Sequence, residues 1–263
     1  MGVIEIWPQR RARGKNAGSQ KFSNTLSALS ASLRQIQNMA PLLDTVEIET
    51  APNPSATVIW LHGLGADGND FAPLVPELVS AQAPAMRFVF PHAPLRPISI
   101  NQGYVMRGWY DITAEDLAGN SRGGDAAGIR ASQVHIEALI ARENARGIGP
   151  RSIVLAGFSQ GGAIALQTGL RYRERLAGIL ALSTYLPLAG LVAAEATAQN
   201  RDLPIFFAHG SQDAVIAPAL GLRSRDVLAA LGYAVEWHEY LMPHSVCAAE
   251  ITDIRRWLAN VLQ

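Results

Sequence analysis

Cysteine and lysine are both scarce in this sequence. One cysteine, Cys247, occurs among 263 residues, which excludes a framework of internal disulfides and a structural zinc site built on cysteine. The chain has two lysines, Lys15 and Lys21, and both precede residue 39. From residue 39 onward, arginine therefore supplies all of the permanent positive side-chain charge.

An excess of charge of either sign is also missing, and so is a long uninterrupted hydrophobic run. The 22 basic and 22 acidic residues give a formal net charge of zero, which argues against a nucleic-acid-binding protein.

The most apolar long stretch, residues 176–194, is broken by Gly178, Pro187 and Gly190, which favours a buried strand and a loop over a membrane span. The beginning of the chain lacks the apolar core of a secretory signal. We expect a soluble, cytoplasmic protein without stable membrane insertion.

The zero net charge conceals two segments of opposite charge. Residues 1–38 contain six basic residues and one acidic residue, a net charge of +5, whereas residues 39–263 contain 16 basic and 21 acidic residues, a net charge of −5. We predict a basic, mobile N-terminal extension over residues 1–38 and a single domain over residues 39–263. The composition of the extension suits a transit peptide, and a misassigned start, with Met39 as the true first residue, fits equally well.

Short apolar runs alternate with helical patterns along residues 39–263. This alternation predicts an α/β protein with a mostly parallel central sheet, flanked by helices on both faces, and with its chemistry beyond the carboxyl ends of the strands. The predicted strands are Thr57–Leu61, Met86–Phe90, Ser152–Ala156, Gly178–Leu182, Pro204–Ala208 and Ala234–Tyr240. The predicted helices are Gly124–Arg146, Gly161–Tyr172, Leu220–Leu231 and Cys247–Leu262.

The sharpest motif is the run GFSQG at residues 157–161, which matches the pattern G-x-S-x-G. It lies between a predicted strand and a predicted helix, as the motif requires. Such a turn holds its serine in a strained conformation, and the flanking glycines let the strand and the helix approach closely. The hydroxyl of Ser159 then points outward at the helix N-terminus, where backbone N–H groups favour an oxyanion. We therefore predict that Ser159 is a nucleophile rather than a serine that only caps a helix.

A serine hydroxyl needs a base to take its proton and an acid to orient that base. In proteins with this motif the acid follows the nucleophile and the histidine comes last, which leaves His209, His238 and His244. His209 precedes every plausible acid in its own loop, and His238 lies within a predicted strand. His244 lies on a loop between the last strand and the last helix, so we predict that it is the base.

The acid should follow the strand that precedes the histidine. The segment AHGSQD at residues 208–213 supplies Asp213 at that place. An ordinary turn aspartate accounts for Asp213 equally well when it is taken alone. Asp202 precedes that strand and Asp226 falls in the following helical pattern, which puts both at the wrong end or on the wrong face, so Asp213 is the predicted acid.

Acyl transfer also needs two N–H donors for the developing oxyanion, one after the nucleophile and one after an earlier strand. Gln160 provides the first. The loop His62–Gly65 follows an apolar strand and provides the second, for which we predict Leu64. His62 is expected to shape this loop by hydrogen bonding rather than to act as a base or a metal ligand. No phosphate-binding glycine motif is present.

Six blocks of sequence together resemble one known family. From about Leu43 to Leu262 the chain is similar to the carboxylesterase, phospholipase and acyl-protein thioesterase family of α/β-hydrolases, and most of all to its bacterial carboxylesterases. The matching blocks are LHGLGADG at 61–68, FPHAP at 90–94, WYD at 109–111, GFSQGG at 157–162, HG at 209–210 with Asp213, and PHS at 243–245.

The resemblance implies a serine esterase that needs no cofactor or metal, often forms a homodimer and acts on a small-molecule ester. It supports Ser159, Asp213 and His244 as a catalytic triad, with Leu64 and Gln160 as oxyanion donors. We expect hydrolysis of short-to-medium acyl esters. An acyl-protein thioesterase or a lysophospholipase is the alternative, and a non-catalytic binding member of the fold is a further one.

Four residues are candidates to line an acyl groove, although each is equally compatible with the core. They are Leu64, Met106, Trp109 and Leu186.

Overall fold

The computed structural model describes residues 41–117 and 124–263. The predicted N-terminal extension, residues 1–38, lies outside the described residues. Within the described ranges, no helix is both long and apolar enough to cross a membrane.

The strands of the described residues form a seven-stranded sheet and a separate two-stranded sheet. The order in the large sheet is β1-β3-β2-β6-β7-β8-β9, with β1 antiparallel to β3 and every other neighbouring pair parallel. Strands β4 and β5 form the small antiparallel sheet. The strands are β1 Thr45–Glu49, β2 Ala56–Leu61, β3 Met86–Pro91, β4 Leu95–Ile98, β5 Tyr104–Arg107, β6 Ile153–Phe158, β7 Gly178–Leu182, β8 Ile205–Gly210 and β9 Val235–Tyr240.

The helices cover both faces of the large sheet. One buried cluster joins the sheet to side chains of α3, α4 and α6, and the other joins it to side chains of α1 and α7. The helices are α1 Val75–Leu78, α2 Ala114–Leu117, α3 Ala126–Ala145, α4 Gln160–Arg171, α5 Val192–Glu195, α6 Pro218–Ala230 and α7 Ala248–Val261.

Burial on both faces explains why the central strands are almost wholly apolar. Strands β2, β7 and β8 are buried at every position, and β6 at every position but its last. Parallel strands between two helical layers have no solvated face, so continuous apolar runs are expected there.

The predicted α/β architecture is confirmed. All six predicted strands and all four predicted helices are present, and their ends differ from the prediction by at most two residues. Strand β1, the β4–β5 hairpin and the four-residue helices α1, α2 and α5 were not predicted.

Candidate active site

Ser159 lies on a sharp turn between β6 and α4. Its backbone angles, φ 54° and ψ −121°, fall in a region of the Ramachandran plot that residues other than glycine rarely occupy. Two hydrogen bonds fix the turn: Ser159 N–H donates to the Leu182 carbonyl at 2.8 Å, and Thr184 Oγ1 donates to the Ser159 carbonyl at 2.6 Å. A side chain at Gly157 would overlap the backbone of Gly161. The predicted strand-turn-helix setting of the motif is therefore present.

Asp213 and His244 meet at the carboxyl ends of β8 and β9. Asp213 Oδ1 accepts hydrogen bonds from the backbone N–H groups of Val215 and Ile216, at 2.9 and 2.8 Å. Its Oδ2 is 2.6 Å from His244 Nδ1. Because a carboxylate can only accept, Nδ1 carries the proton, and Nε2 is left as the nitrogen that can receive one. The Asp213 side chain is fully buried, whereas that of His244 is 16% exposed.

The His244 loop packs against both the loop after β8, which carries Asp213, and the turn that carries Ser159. Gln212 N–H donates to the Met242 carbonyl at 3.1 Å, which ties the loop after β8 to the loop after β9. The ring of His244 contacts the ring of Phe158, the residue before Ser159, with 4.7 Å between centroids. Within the described part of the chain, no hydrogen bond joins Ser159 Oγ to His244. Catalytic hydrogen bonds often tighten only when substrate is bound.

The loop after β2 lies beside Ser159. A Cβ atom built on Gly63 would lie 3.5 Å from Ser159 Cβ. The backbone N–H groups of Leu64 and Gln160 donate no hydrogen bond to any described residue. These two groups, predicted as oxyanion donors, therefore remain available to an acceptor near Ser159.

His62 shapes this loop. Its Nε2 accepts a hydrogen bond from the Ala93 N–H at 3.0 Å, so the proton lies on Nδ1, which donates to the Gly63 carbonyl at 2.7 Å. Burial lowers the pKa of His62 to about 4, which keeps the ring neutral at physiological pH. With both nitrogens occupied, His62 has the role expected from the sequence.

The side chain of Gln160 connects the nucleophile turn to the segment after β5. Its Oε1 accepts from the Trp109 N–H and its Nε2 donates to the Tyr110 carbonyl, each at 2.7 Å. The Trp109 indole N–H in turn donates to the His62 carbonyl at 2.9 Å. Both predicted oxyanion segments are thus held by Trp109. The sequence analysis did not predict these hydrogen bonds of Trp109, although it singled out the WYD block at residues 109–111.

The four candidate groove residues do not share one surface. Leu64 and Met106 lie on the same side of the site: their segments are joined by a hydrogen bond from Gly65 N–H to the Arg107 carbonyl, and Met106 Sδ is 3.5 Å from the Cβ position of Gly65. Trp109 is fully buried and faces the core.

Leu186 lies elsewhere, in the wall of a cavity of about 560 Å³ whose lining includes the loop after β7 and residues of α6 from Leu220 to Val227. Tyr110 and Tyr185 also line this cavity, and their hydroxyl groups are 2.8 Å apart. The described lining of the cavity includes neither Leu64 nor Met106.

The mostly parallel sheet, the serine on its strand-to-helix turn and the acid–histidine pair at the same edge define a serine hydrolase of the α/β-hydrolase fold. Comparison with known proteins agrees: the chain belongs to the phospholipase/carboxylesterase family, whose sequence profile matches residues 44–262. It is a carboxylic ester hydrolase.

Two fungal relatives illustrate the similarity in sequence. The chain is 43% identical over 215 residues to acyl-protein thioesterase 1 of Neurospora crassa, covering 79% of this chain and 87% of that protein. It is 36% identical over 239 residues to acyl-protein thioesterase 1 of Cryptococcus neoformans var. neoformans, covering 86% of this chain and all of that protein.

Solved plant structures show the same fold. SOBER1 of Arabidopsis thaliana has a TM-score of 0.74 at 28% identity, covering 79% of this chain and 99% of that one. Acyl-protein thioesterase 2 of Zea mays has a TM-score of 0.72 at 26% identity, covering 84% of this chain and 99% of that one.

Proposed function

We propose that this protein hydrolyses acyl thioesters carried on cysteine side chains, with Ser159 as nucleophile, His244 as base and Asp213 as the acid that orients it. The observation that carries the catalytic part is the 2.6 Å contact between Asp213 Oδ2 and His244 Nδ1 at the sheet edge that bears the Ser159 turn. The names of the fungal relatives support the preference for thioesters.

The proposed reaction has two steps. In the first, His244 Nε2 removes the Ser159 hydroxyl proton as Oγ attacks the acyl carbonyl carbon, and the Leu64 and Gln160 N–H groups stabilise the resulting oxyanion. Collapse of the intermediate breaks the carbon–sulfur bond, and the imidazolium returns its proton to the leaving thiolate. In the second step, His244 removes a proton from water as the water oxygen attacks the acyl carbon. Collapse of this second intermediate breaks the bond to Ser159 Oγ, and the imidazolium returns its proton to that oxygen, which releases the carboxylic acid and free Ser159.

Hydrolysis of short-to-medium oxygen esters is the second candidate. The same groups perform it with an alcohol as leaving group, and a solved structure named esterase PE8 has a TM-score of 0.72 at 26% identity to this chain. The cytoplasmic location and the homodimer expected from the sequence stay predictions.

Two peptides that differ in one atom separate the candidates. One carries an octanoyl group on a cysteine sulfur and the other carries it on a serine oxygen in the same sequence. We expect a larger kcat/KM for the thioester, after correction for the uncatalysed hydrolysis of each peptide. A larger kcat/KM for the oxygen ester would favour the esterase candidate.

The Ser159→Ala variant is the control for both peptides. It should lose nearly all hydrolysis and all labelling by a fluorophosphonate probe, because the nucleophile is gone. Hydrolysis that survives unchanged in Ser159→Ala would refute the proposed mechanism.

A further inference from the structure

His209 is a fully buried histidine that the proposed reaction does not use. It lies near the end of β8, four residues before Asp213. The sequence order excludes it as the base, and its burial keeps it away from substrate. A buried polar ring of this kind still needs a physical account.

The hydrogen bonding of His209 defines its protonation. Its Nε2 is 2.9 Å from the Ile216 carbonyl, which can only accept, so Nε2 carries a proton. Its Nδ1 is buried and has no partner among the described residues. Burial lowers the pKa of His209, which keeps the ring neutral, although the Ile216 carbonyl and the Asp213 carboxylate act in the opposite direction.

The same ring contacts two points of the acid loop, residues 210–217. Nε2 lies 3.4 Å from Asp213 Oδ2, the oxygen that also faces His244. Ile216, whose carbonyl accepts from His209, donates its own N–H to Asp213 Oδ1 at 2.8 Å. One imidazole therefore anchors the residue that in turn holds the carboxylate.

The surroundings of His209 leave it little freedom to move. A Cβ atom on Gly221 of α6 would lie 2.6 Å from His209 Nδ1, so this glycine lets the helix backbone pack against the ring. Trp237 of β9 stacks on the ring as well, with centroids 6.2 Å apart and an interplanar angle of 19°. The charged and titratable groups that influence His209 are Asp213, His244 and Glu239.

We propose that His209 is a positioning residue for the triad: its Nε2–H anchors the end of the acid loop at Ile216 and so holds Asp213 Oδ2 against His244 Nδ1. This proposal rests on the proposed function, because it assigns His209 a part in the same reaction. His209 touches neither substrate nor the reacting atoms, and acts only through Asp213.

Two similar amides test this role. In His209→Gln the side-chain amide reaches the place of Nε2 and can still donate to Ile216. In His209→Asn it is one methylene shorter and cannot. His238→Gln is the matched control, since His238 pairs with Ala208 in the sheet register and stacks on Phe206, outside the site. The substrate is p-nitrophenyl acetate, and circular dichroism confirms folding.

We expect His209→Asn to lose roughly tenfold or more in kcat with a smaller change in KM, because a general base that is no longer held in position affects the transition state most. The acidic midpoint of its kcat/KM profile should move to lower pH, since the imidazolium would lose part of its carboxylate partner. His209→Gln should stay within about threefold of the parent in kcat and keep the parent midpoint. His238→Gln should match the parent.

Several results would overturn the proposal. Equal losses of kcat in the Gln and Asn variants would show that the hydrogen bond to Ile216 is irrelevant. Kinetics and a pH midpoint like those of the parent in His209→Asn would show that His209 does not position Asp213. Failure of both variants to fold would assign His209 to the core alone.

A proton NMR measurement separates this proposal from the proposed function. The downfield signal of His244 Nδ1–H should be retained in His209→Gln and lost or shifted in His209→Asn, whether or not the parent hydrolyses any ester. A parent that hydrolyses neither the thioester peptide nor the oxygen ester peptide but shows this pattern would refute the proposed function and leave the role of His209 intact.

Discussion

Glu250 is a buried carboxyl group at the first turn of α7. Glu250 has no exposed surface, and neither of its carboxyl oxygens has a hydrogen bond of ordinary geometry. Burial raises its pKa to about 8, and the backbone N–H of Cys247 offsets only part of this effect. The folded state therefore keeps a proton that the unfolded chain releases near pH 4.5, so this group makes the protein less stable as pH rises from about 4.5 to about 8.

The substitution Glu250→Gln should remove this pH dependence. Because a neutral amide cannot ionise in the unfolded state, we expect the free energy of unfolding at pH 7 to rise by about 3 kcal/mol, with almost no change at pH 4. Urea denaturation at both pH values measures the difference. Glu77→Gln, at an exposed position on α1, is the control, and an equal effect of Glu250→Gln at the two pH values would contradict the prediction.

Residue roles differ in how far the sequence reveals them. The predicted roles of Ser159, Asp213 and His244 could be assigned from motif spacing and chain order, because in proteins with the G-x-S-x-G turn the nucleophile comes first, the acid second and the histidine last. The bonds of the Gln160 amide to Trp109 and Tyr110 could not, since they join segments about 50 residues apart. The same holds for Glu250, whose unusual proton affinity follows from burial and not from residue type.

Helix α4 approaches the backbone at the end of β2 closely at Gly161. A Cβ atom on Gly161 would overlap the carbonyl oxygen of Leu61 and lie 2.6 Å from that of His62. This close approach brings the Ser159 turn beside the loop that carries Leu64. We predict that Gly161→Ala destabilises the protein by about 1–3 kcal/mol through overpacking and also lowers kcat, because α4 and the loop after β2 must separate.

A second glycine provides the matched control. Gly149 has no atom within 4 Å of its Cβ position and an ordinary φ, so Gly149→Ala should change neither thermal stability nor turnover appreciably. Thermal denaturation and ester hydrolysis of the two variants decide the matter. Equal thermal stability and turnover of the two alanine variants would show that neither property depends on the close approach of α4 to β2.

Among the elements, those buried on both faces were the easiest to predict. Strands β2, β6, β7 and β8 are continuous apolar runs between turn residues, and α4 and α7 carry clear helical periodicity. Strand β1 is an edge strand with no buried residue, so its alternating pattern gave little signal. Strand β4 contains Pro97, a residue that argues against a strand unless the strand lies at an edge.

At the scale of the whole chain, charge divides the sequence at residue 39. The family match begins at residue 44, after the segment with a net charge of +5. We predict that a chain starting at Met39 retains kcat/KM within about twofold, because every predicted catalytic residue lies beyond the boundary. Its net charge of −5 should also make it bind an anion-exchange resin more strongly at pH 7 than the full chain does. Loss of folding or of ester hydrolysis would show that residues 1–38 belong to the domain.

The turn at Ser159 implies a conflict between durability and reactivity in this molecule. A backbone held at positive φ by a residue other than glycine costs on the order of 1–3 kcal/mol, and Ser159 takes that conformation at φ 54°. Glycine would relieve the strain but supplies no nucleophile, whereas alanine would keep the strain and lose the hydroxyl. Selection for thermal stability alone would therefore favour glycine at residue 159, whereas the proposed role of Ser159 as nucleophile accounts for the serine.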